Sequence, residues 1–140
     1  MKGWFLIGLV IFLIVLGAAI GWVRIAPVDV ARWHQRPDLA LIEKRLNGAI
    51  RMIDADGDSL ARLDAIIRQT PRTRHLAGSV DEGMITYVTR SAVFGFPDFT
   101  TVVRRDRRLE IYGRARFGVS DLGVNAARID GWLDALAQGG

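Results

Sequence analysis

The sequence contains no cysteine and only two histidines. The absence of cysteine excludes disulfides, cysteine zinc sites, iron–sulfur clusters and thiol nucleophiles, although it is compatible with either redox compartment. His34 has no second metal ligand at a workable spacing, and His75 lies near Ser79 and Asp81 only by local coincidence. The phosphate-binding, dinucleotide-binding, nucleophile-elbow and zinc-protease motifs are missing as well. We therefore expect no cofactor and no metal, and we favour a binding or structural role over catalysis.

The chain has a moderate net positive charge, and its basic and acidic residues are interspersed along the sequence. There are 19 Lys and Arg residues against 15 Asp and Glu residues, a formal net charge of +4, and nearly all of the cations are arginine. This composition is compatible with a surface for phosphates or anionic lipid, but the interspersed acidic residues favour an ordinary solvated surface. No stretch combines basic residues with a stacking platform of aromatic residues, so we do not expect nucleic-acid binding.

Residues 4–23 form an uncharged hydrophobic run that is bracketed by Trp4 and Trp22. At about 1.5 Å per residue, a helix over this run crosses a hydrocarbon core of about 30 Å, and tryptophan at both ends is typical of the membrane interface. A cleaved signal peptide is the main alternative, because Gly17-Ala18-Ala19 offers small residues for cleavage. The run is longer than a typical signal core, so we favour an uncleaved, single-pass anchor whose partner is the lipid bilayer.

Two features of the sequence predict opposite orientations for this anchor in the membrane. Lys2 lies on one side of the run, whereas Arg24, Arg32 and Arg36 lie on the other, which favours a cytoplasmic domain by the positive-inside rule. A very short N-terminal tail with a lysine is, in contrast, the usual start of an export signal-anchor. Both orientations stay open on these residues alone.

The rest of the chain divides into a connector over residues 24–47 and a domain over residues 48–138. Pro27 and Pro37 interrupt regular structure in the connector, where Trp33 and His34 either pack on the domain or lie at the membrane surface. In the domain, the pattern predicts helices over 60–69 and from near Leu122 to the C-terminus, and strands over 49–53, 75–79, 84–94, 99–105 and 109–117. We predict an α+β fold in which an N-terminal transmembrane helix precedes a small antiparallel sheet with helices packed on one face.

The last strand and the closing helix have the clearest periodicity. The strand alternates between a set that faces the core and a set on the outer face: Leu109, Ile111, Gly113, Ala115 and Phe117, then Glu110, Tyr112, Arg114 and Arg116. The helix carries one apolar stripe, formed by Leu122, Ala126, Ile129, Leu133 and Leu136.

The junction between this strand and this helix is the candidate site. Two arginines on one face of a strand lead through a glycine to a helix N-terminus, where free N–H groups and arginine side chains are suited to a carboxylate or phosphate. The candidate ligand-binding residues are Arg90, Asp98, Arg114, Arg116, Ser120, Asp121, Asn125 and Arg128. The alternative is structural: Ser120 or Asp121 caps the helix, Arg114 or Arg116 pairs with Asp121 or Asp98, and Arg90 pairs with Asp98.

Three segments resemble a known family. Val88-Thr89-Arg90-Ser91, then Gly95-Phe96-Pro97-Asp98, then the stretch from Gly113 to Ile129 with Ser120-Asp121-Leu122-Gly123-Val124-Asn125, are similar to the DUF1499 family of bacteria and plastids. The resemblance covers roughly residues 60–137. Family members often have Pro-Asn-Cys-Val-Ser and Arg-Ser-Arg, whereas this chain has no cysteine and reads Arg114-Ala115-Arg116, which puts any role of that cysteine or serine in doubt. The family has no assigned activity, and the export signals or lipid anchors of related proteins imply an outer, periplasmic location.

The leading hypothesis is therefore a non-enzymatic, membrane-tethered binding or interaction domain in the bacterial envelope. Its partner is an anionic small molecule or another envelope protein. The rival hypothesis is a hydrolase that uses Asp98 or Asp121 as a general base and arginines to stabilise an oxyanion. A third hypothesis is a structural module that assembles through Trp4, Trp22 or the glycine-bearing face of the anchor.

Overall fold

The computed structural model describes residues 2–36, 48–118 and 120–139. It has the predicted α+β fold, in which a long apolar helix precedes a five-stranded antiparallel sheet with helices packed on it. The elements, in chain order, are α1 (Lys2–Ile25), α2 (Val30–Trp33), β1 (Gly48–Asp54), α3 (Ser59–Arg68), β2 (Thr73–Ser79), β3 (Met84–Arg90), β4 (Pro97–Arg105), β5 (Arg108–Ala115) and α4 (Val124–Gln138).

Helix α1 contains the predicted hydrophobic run and extends it slightly at both ends. Within residues 3–25, the most apolar 18-residue window has a mean hydropathy of 2.8 and no buried residue. At about 1.5 Å per residue, 23 residues extend about 35 Å, which exceeds a hydrocarbon core of about 30 Å. By length and composition, α1 can therefore cross a membrane.

The sheet has the strand order β1-β5-β4-β3-β2, and every neighbouring pair is antiparallel. The register pairs Arg90 with Pro97, Asp98 with Ala115 and Gly48 with Arg114. The end of β3, the start of β4, the end of β5 and the start of β1 therefore lie at one end of the sheet. We call this the α1-proximal end, because it contacts the last turn of α1.

The structure corrects the predicted bounds of four strands and one helix. Strands β2 and β4 begin at Thr73 and Pro97, two residues earlier than predicted. Strand β3 ends at Arg90 instead of residue 94, because Ser91 and Phe96 close a loop in which the Ser91 N–H donates to the Phe96 carbonyl at 2.9 Å. Strand β5 ends at Ala115 instead of Phe117. Helix α4 begins at Val124, after Gly123 at φ 78°, so Leu122 precedes the helix and does not join the apolar stripe.

One face of the sheet packs against α3 and α4. The helical periodicity predicted for α3 is confirmed, because Leu60, Leu63 and Ile67 are buried. Helix α4 contributes Ile129 and Leu136 as predicted, together with Trp132. The buried residues of this main core are Ala49, Leu60, Leu63, Ile67, Ile85, Tyr87, Val102, Leu109, Ile111, Ile129, Trp132 and Leu136.

Residues 26–34, which include α2, cover the part of the opposite face around Phe99. Trp33 stacks on Phe99 with ring centroids 3.9 Å apart, and Val88 joins them in a second, smaller core. The His34 Nδ1 atom lies 2.9 Å from the Thr86 hydroxyl. Of the two predicted positions for Trp33 and His34, packing on the domain is therefore correct. The second part of the predicted connector, residues 37–47, lies outside the described residues.

Candidate functional site

All eight predicted site residues lie at the α1-proximal end of the sheet or in the loop and helix turn that follow it. Arg90 is the last residue of β3, Asp98 is the second residue of β4, and Arg114 is the second-last residue of β5. The remaining residues follow β5 in the chain: Arg116, Ser120, Asp121, Asn125 and Arg128. Their contacts divide them into two groups.

The first group is a polar network that starts α4. The Arg128 guanidinium forms an ion pair with Asp98 at 3.2 Å and donates to the Asn125 side-chain oxygen at 3.0 Å. The Asn125 side-chain amide donates to the Asp121 carboxylate at 2.8 Å. Asn125 is fully buried against Gly113, where an added Cβ would lie 3.0 Å from the Asn125 Cβ. A side chain at Gly113 would therefore require Asn125 to shift by a few tenths of an ångström.

Asp121 fulfils the capping role that the sequence indicates, although Gly123 occupies the N-cap position. Its carboxylate accepts hydrogen bonds from the Gly123 and Asn125 N–H groups at 3.0 and 3.1 Å. Ser120 accepts a hydrogen bond from the Leu122 N–H at 3.2 Å. These contacts satisfy N–H groups at the start of the helix, which otherwise lack partners.

The second group consists of three arginines that bind main-chain carbonyls of residues 23–33. Arg90 donates to the Val23 carbonyl at 3.4 Å and to the Gly95 carbonyl at 2.9 Å. Arg114 donates to the Trp33 carbonyl and to the Thr101 hydroxyl, both at 2.8 Å, and its guanidinium carbon lies 5.4 Å from the Trp33 ring centroid. Arg116 donates to the Pro27 carbonyl at 3.3 Å.

These contacts overturn the predicted partners of the arginines. Asp98 forms its ion pair with Arg128. Among the described residues, the expected ion pair of Asp98 with Arg90, Arg114 or Arg116 is not formed. The physical reason is the segment that follows α1, whose carbonyls lie across the outer face of β5 and beside the end of β3. The sequence pattern located the arginines correctly on a common face but did not reveal what covers that face.

Arg24 belongs to the same region and was not among the predicted site residues. Its guanidinium donates to the Val93 carbonyl at 2.9 Å, in the loop between β3 and β4. Gly95 in that loop has φ 74°, and an added Cβ there would lie 3.0 Å from the Arg24 Cγ. In the sequence, the glycine at position 95 was the only hint of this contact that we identify, since glycine suits a left-handed backbone and a close approach.

The two carboxylates of the site differ in their electrostatics. Burial raises the pKa of Asp98 above its ordinary value, and the favourable charge and hydrogen bond of Arg128 only partly offset that effect. Burial also disfavours charge on Asp121, but hydrogen bonds from the Asn125 side chain and from main-chain N–H groups outweigh it and lower the pKa. Asp121 is therefore held as a carboxylate, whereas the charge on Asp98 is penalised.

A concave region lies at the opposite end of the sheet. It is an open groove of about 1090 Å³ between the β1–α3 turn, the β4–β5 hairpin and the end of α4. None of the eight predicted residues lines it, and its charged side chains include the ion pairs Arg62–Asp56 and Arg105–Glu110. Within residues 2–36, 48–118 and 120–139, no group of three acidic or histidine side chains is placed to hold a metal.

Comparison with known proteins identifies the family. None of the curated proteins matches the sequence. The crystal structure of a DUF4468 family protein from Bacteroides ovatus ATCC 8483 is similar at 12% sequence identity and a TM-score of 0.35, over 63% of each chain, and a likeness this distant carries no argument. The sequence profile of DUF1499, described as a protein of unknown function, matches residues 34–136. Because the match includes about three quarters of the sequence, this chain belongs to the DUF1499 family.

Proposed function

We propose that this protein is a single-pass membrane protein whose α+β domain binds an anionic group at the α1-proximal end. One observation carries the proposal. Arg24, Arg90 and Arg116 converge on the end of α1 and form no ion pair with a carboxylate in the part of the chain that the structure describes. The carboxylates beside them are already engaged, Asp98 by Arg128 and Asp121 by Asn125.

A carbonyl partner satisfies a donor without cancelling a charge. Each of the three guanidinium groups uses one of its nitrogens on neutral carbonyl oxygens, and a guanidinium has five N–H donors. The partial negative charge at the C-terminus of α1 offsets only part of three full positive charges. An anion that bridges the remaining donors would gain charge-assisted hydrogen bonds, which are about twice as strong as neutral ones.

The location and partner follow from the family resemblance and from this surface. We place the domain on the outer, periplasmic side of the bacterial envelope, since export signals and lipid anchors are common among related proteins. The expected ligand is an anionic small molecule, and the expected protein partner is an envelope protein that presents an acidic group. The predicted ligand residues Ser120, Asp121, Asn125 and Arg128 then act by holding the start of α4 in place.

A hydrolase is the alternative with one specific observation in its favour, the raised pKa of Asp98, which suits a general base. Two observations disfavour it. The Asp98 side chain is only 16% exposed and is bound by Arg128, and the large groove lies at the other end of the sheet. A structural module that assembles through α1 is the remaining alternative, and it predicts an oligomer that depends on α1.

The proposal is tested by titrating pyrophosphate and citrate into the full-length chain in nanodiscs of phosphatidylcholine, with isothermal calorimetry. We expect Arg116→Gln to weaken binding about 10- to 100-fold, the equivalent of losing one charge-assisted hydrogen bond of about 1.5–3 kcal/mol. Arg107→Gln is the matched control, because it removes the same charge from an exposed position at the opposite end of the sheet. If wild type binds neither anion, or if both variants weaken binding equally, the proposal is wrong.

A further inference from the structure

Exposed apolar side chains outside α1 are concentrated at one place in the domain. Eight large hydrophobic residues that follow α1 are exposed in the described chain, and only Val30 and Met52 lie elsewhere. The other six lie in the β3–β4 loop and in the β5–α4 loop with the first residue of α4. We call these six the apolar rim: Val93, Phe94, Phe96, Phe117, Leu122 and Val124. Exposed apolar residues that are scattered singly need no explanation, but a concentrated group marks a contact surface.

The aromatic members of the apolar rim contact one another. The ring centroids of Phe94 and Phe96 are 5.5 Å apart, and those of Phe96 and Phe117 are 5.9 Å apart. The three rings thus form a continuous surface that joins the two loops. Each ring nevertheless remains about 40% exposed, so their mutual contact does not bury them.

Leu122 is the most exposed member, at 92%. Its backbone is also in the left-handed region, with φ 52°, which is unfavourable for a branched aliphatic residue. In water, a strained backbone that exposes a leucine side chain does not stabilise the domain. It is favourable where the side chain enters an apolar environment, at about 0.8 kcal/mol per buried methylene group.

The β3–β4 loop and Phe117, which carry four of the six rim residues, lie beside the last turn of α1. Arg24 binds the Val93 carbonyl at 2.9 Å, and Arg90 reaches the Val23 carbonyl at 3.4 Å. Arg116, whose guanidinium carbon lies 5.2 Å from the Phe117 ring centroid, binds the carbonyl of Pro27, two residues after α1 ends. If α1 crosses the hydrocarbon core, its last turn is at the membrane interface, and the apolar rim is fixed at the same depth.

We infer that the apolar rim enters the interfacial region of the bilayer that α1 crosses. This inference rests on the proposed membrane span of α1. The occupant is the lipid surface, because the rim combines aromatic and aliphatic side chains with arginines whose guanidinium groups reach lipid phosphates, the composition of an interfacial membrane contact. The domain is then seated on the bilayer at a defined height, with the rim in the headgroup region and the large groove directed away from the membrane.

The absence of cysteine makes a direct test simple, since every introduced cysteine carries the only label. The full-length chain with Val93→Cys or Leu122→Cys is labelled with the fluorophore NBD and reconstituted into vesicles of phosphatidylethanolamine and phosphatidylglycerol. Quenching by a lipid with a nitroxide near the top of its acyl chain, and reduction by aqueous dithionite, report the surroundings of the label. Circular dichroism of each labelled chain verifies that it is folded.

Two further labels make the outcome specific. Gly57→Cys is the control at the opposite end of the sheet, where the glycine is exposed and no atom lies within 4 Å of an added Cβ. Ile11→Cys, in the middle of α1, reports the membrane span itself. We expect the labels at Val93, Leu122 and Ile11 to be quenched by the nitroxide lipid and protected from dithionite, and the label at Gly57 to behave in the opposite way.

The remaining outcomes contradict the inference in distinguishable ways. A quenched Ile11 label with rim labels as accessible as the Gly57 label means that α1 crosses the bilayer and the rim does not touch it. Rim labels that resist dithionite without being quenched by the nitroxide lipid mean that a protein, such as a second copy of this chain, covers the rim. An Ile11 label that is not quenched overturns the proposed span and the inference together.

Discussion

The face of the sheet under α3 and α4 and the face under residues 26–34 are both covered, but by different chemistry. The first is a continuous core of aliphatic and aromatic side chains, including Ile111 and Leu63. The second depends on the Trp33–Phe99 stack and on hydrogen bonds from Thr101 and Arg114 to the Trp33 carbonyl. Apolar burial is non-directional and fixes only the layers, whereas the polar contacts of the second face fix which carbonyl lies above which side chain.

The largest effect is expected on the helix-covered face. Ile111→Ala removes a fully buried side chain between β5 and the helices, and we expect it to lower the free energy of unfolding by about 2–5 kcal/mol. Urea denaturation of the full-length chain in detergent micelles, followed by circular dichroism, measures this loss. Met52→Ala is the control, since this exposed residue on β1 should change stability by only about 0.5 kcal/mol. A loss for Ile111→Ala as small as that of the control contradicts the assignment of the main core.

A smaller effect is expected on the second face, because the cluster around Trp33 has fewer buried residues than the main core. Trp33→Ala should cost about 1–3 kcal/mol, less than is usual for a buried tryptophan. Arg114→Gln should cost a similar amount by removing hydrogen bonds from a charged donor.

Combining these two substitutions measures how strongly Arg114 and Trp33 depend on each other. Because Arg114 contacts both the carbonyl and the ring of Trp33, the double variant should lose less than the sum of the single losses, by about 0.5–3 kcal/mol. Urea denaturation of the four proteins gives this coupling energy. Strictly additive losses would show that Arg114 does not hold residues 26–34 against the sheet.

The smallest effect on the free energy of unfolding is expected at Asp98, whose carboxylate lies near the start of β4. Its pKa in the folded chain is above the ordinary value of 3.8, so its contribution to stability is present below that pH and is lost as the pH rises through the folded pKa. Asp98→Asn lacks this loss, and we expect its stability relative to wild type to increase as the pH rises through that window. Denaturation of both proteins across a pH series measures the trend.

Asp121→Asn provides a control of opposite sign. The pKa of Asp121 is lowered in the folded chain, so its contribution is present above the ordinary pKa and is lost as the pH falls through the folded value. This variant should therefore become less stable relative to wild type as the pH rises. The same trend for both variants would mean that burial does not dominate at Asp98.

Sequence periodicity predicted the sheet and its helices well, because it reports local geometry. The alternation in β5 assigned Ile111 to the core and Arg114 to the outer face, and the three- and four-residue spacing in α3 identified its buried side. The role of Asp121 at the helix start was also predictable, since its partner Asn125 is only four residues away. The main errors in element bounds, at Phe94 and Leu122, fall where apolar residues continue past the end of an element.

The partners of the site residues could not be predicted in the same way. Arg114 binds the carbonyl of a residue 81 positions earlier, and Arg128 binds Asp98 from 30 positions later. Several arginines and aspartates had compatible charge, and charge alone does not select among them. The choice depends on strand register and on the segment that covers the outer face.

The long apolar helix, the α+β class and the family could thus all be predicted from the sequence, since each depends on residue types at short, fixed spacings. The folded structure was needed to show that Arg90, Arg114 and Arg116 bind main-chain carbonyls of residues 23–33. It was also needed to show that two separate loops bring Phe96 and Phe117 together beside the end of α1. The physical reason is that a periodic pattern specifies which face a side chain occupies. What meets that face is set by packing between segments that are distant in the chain.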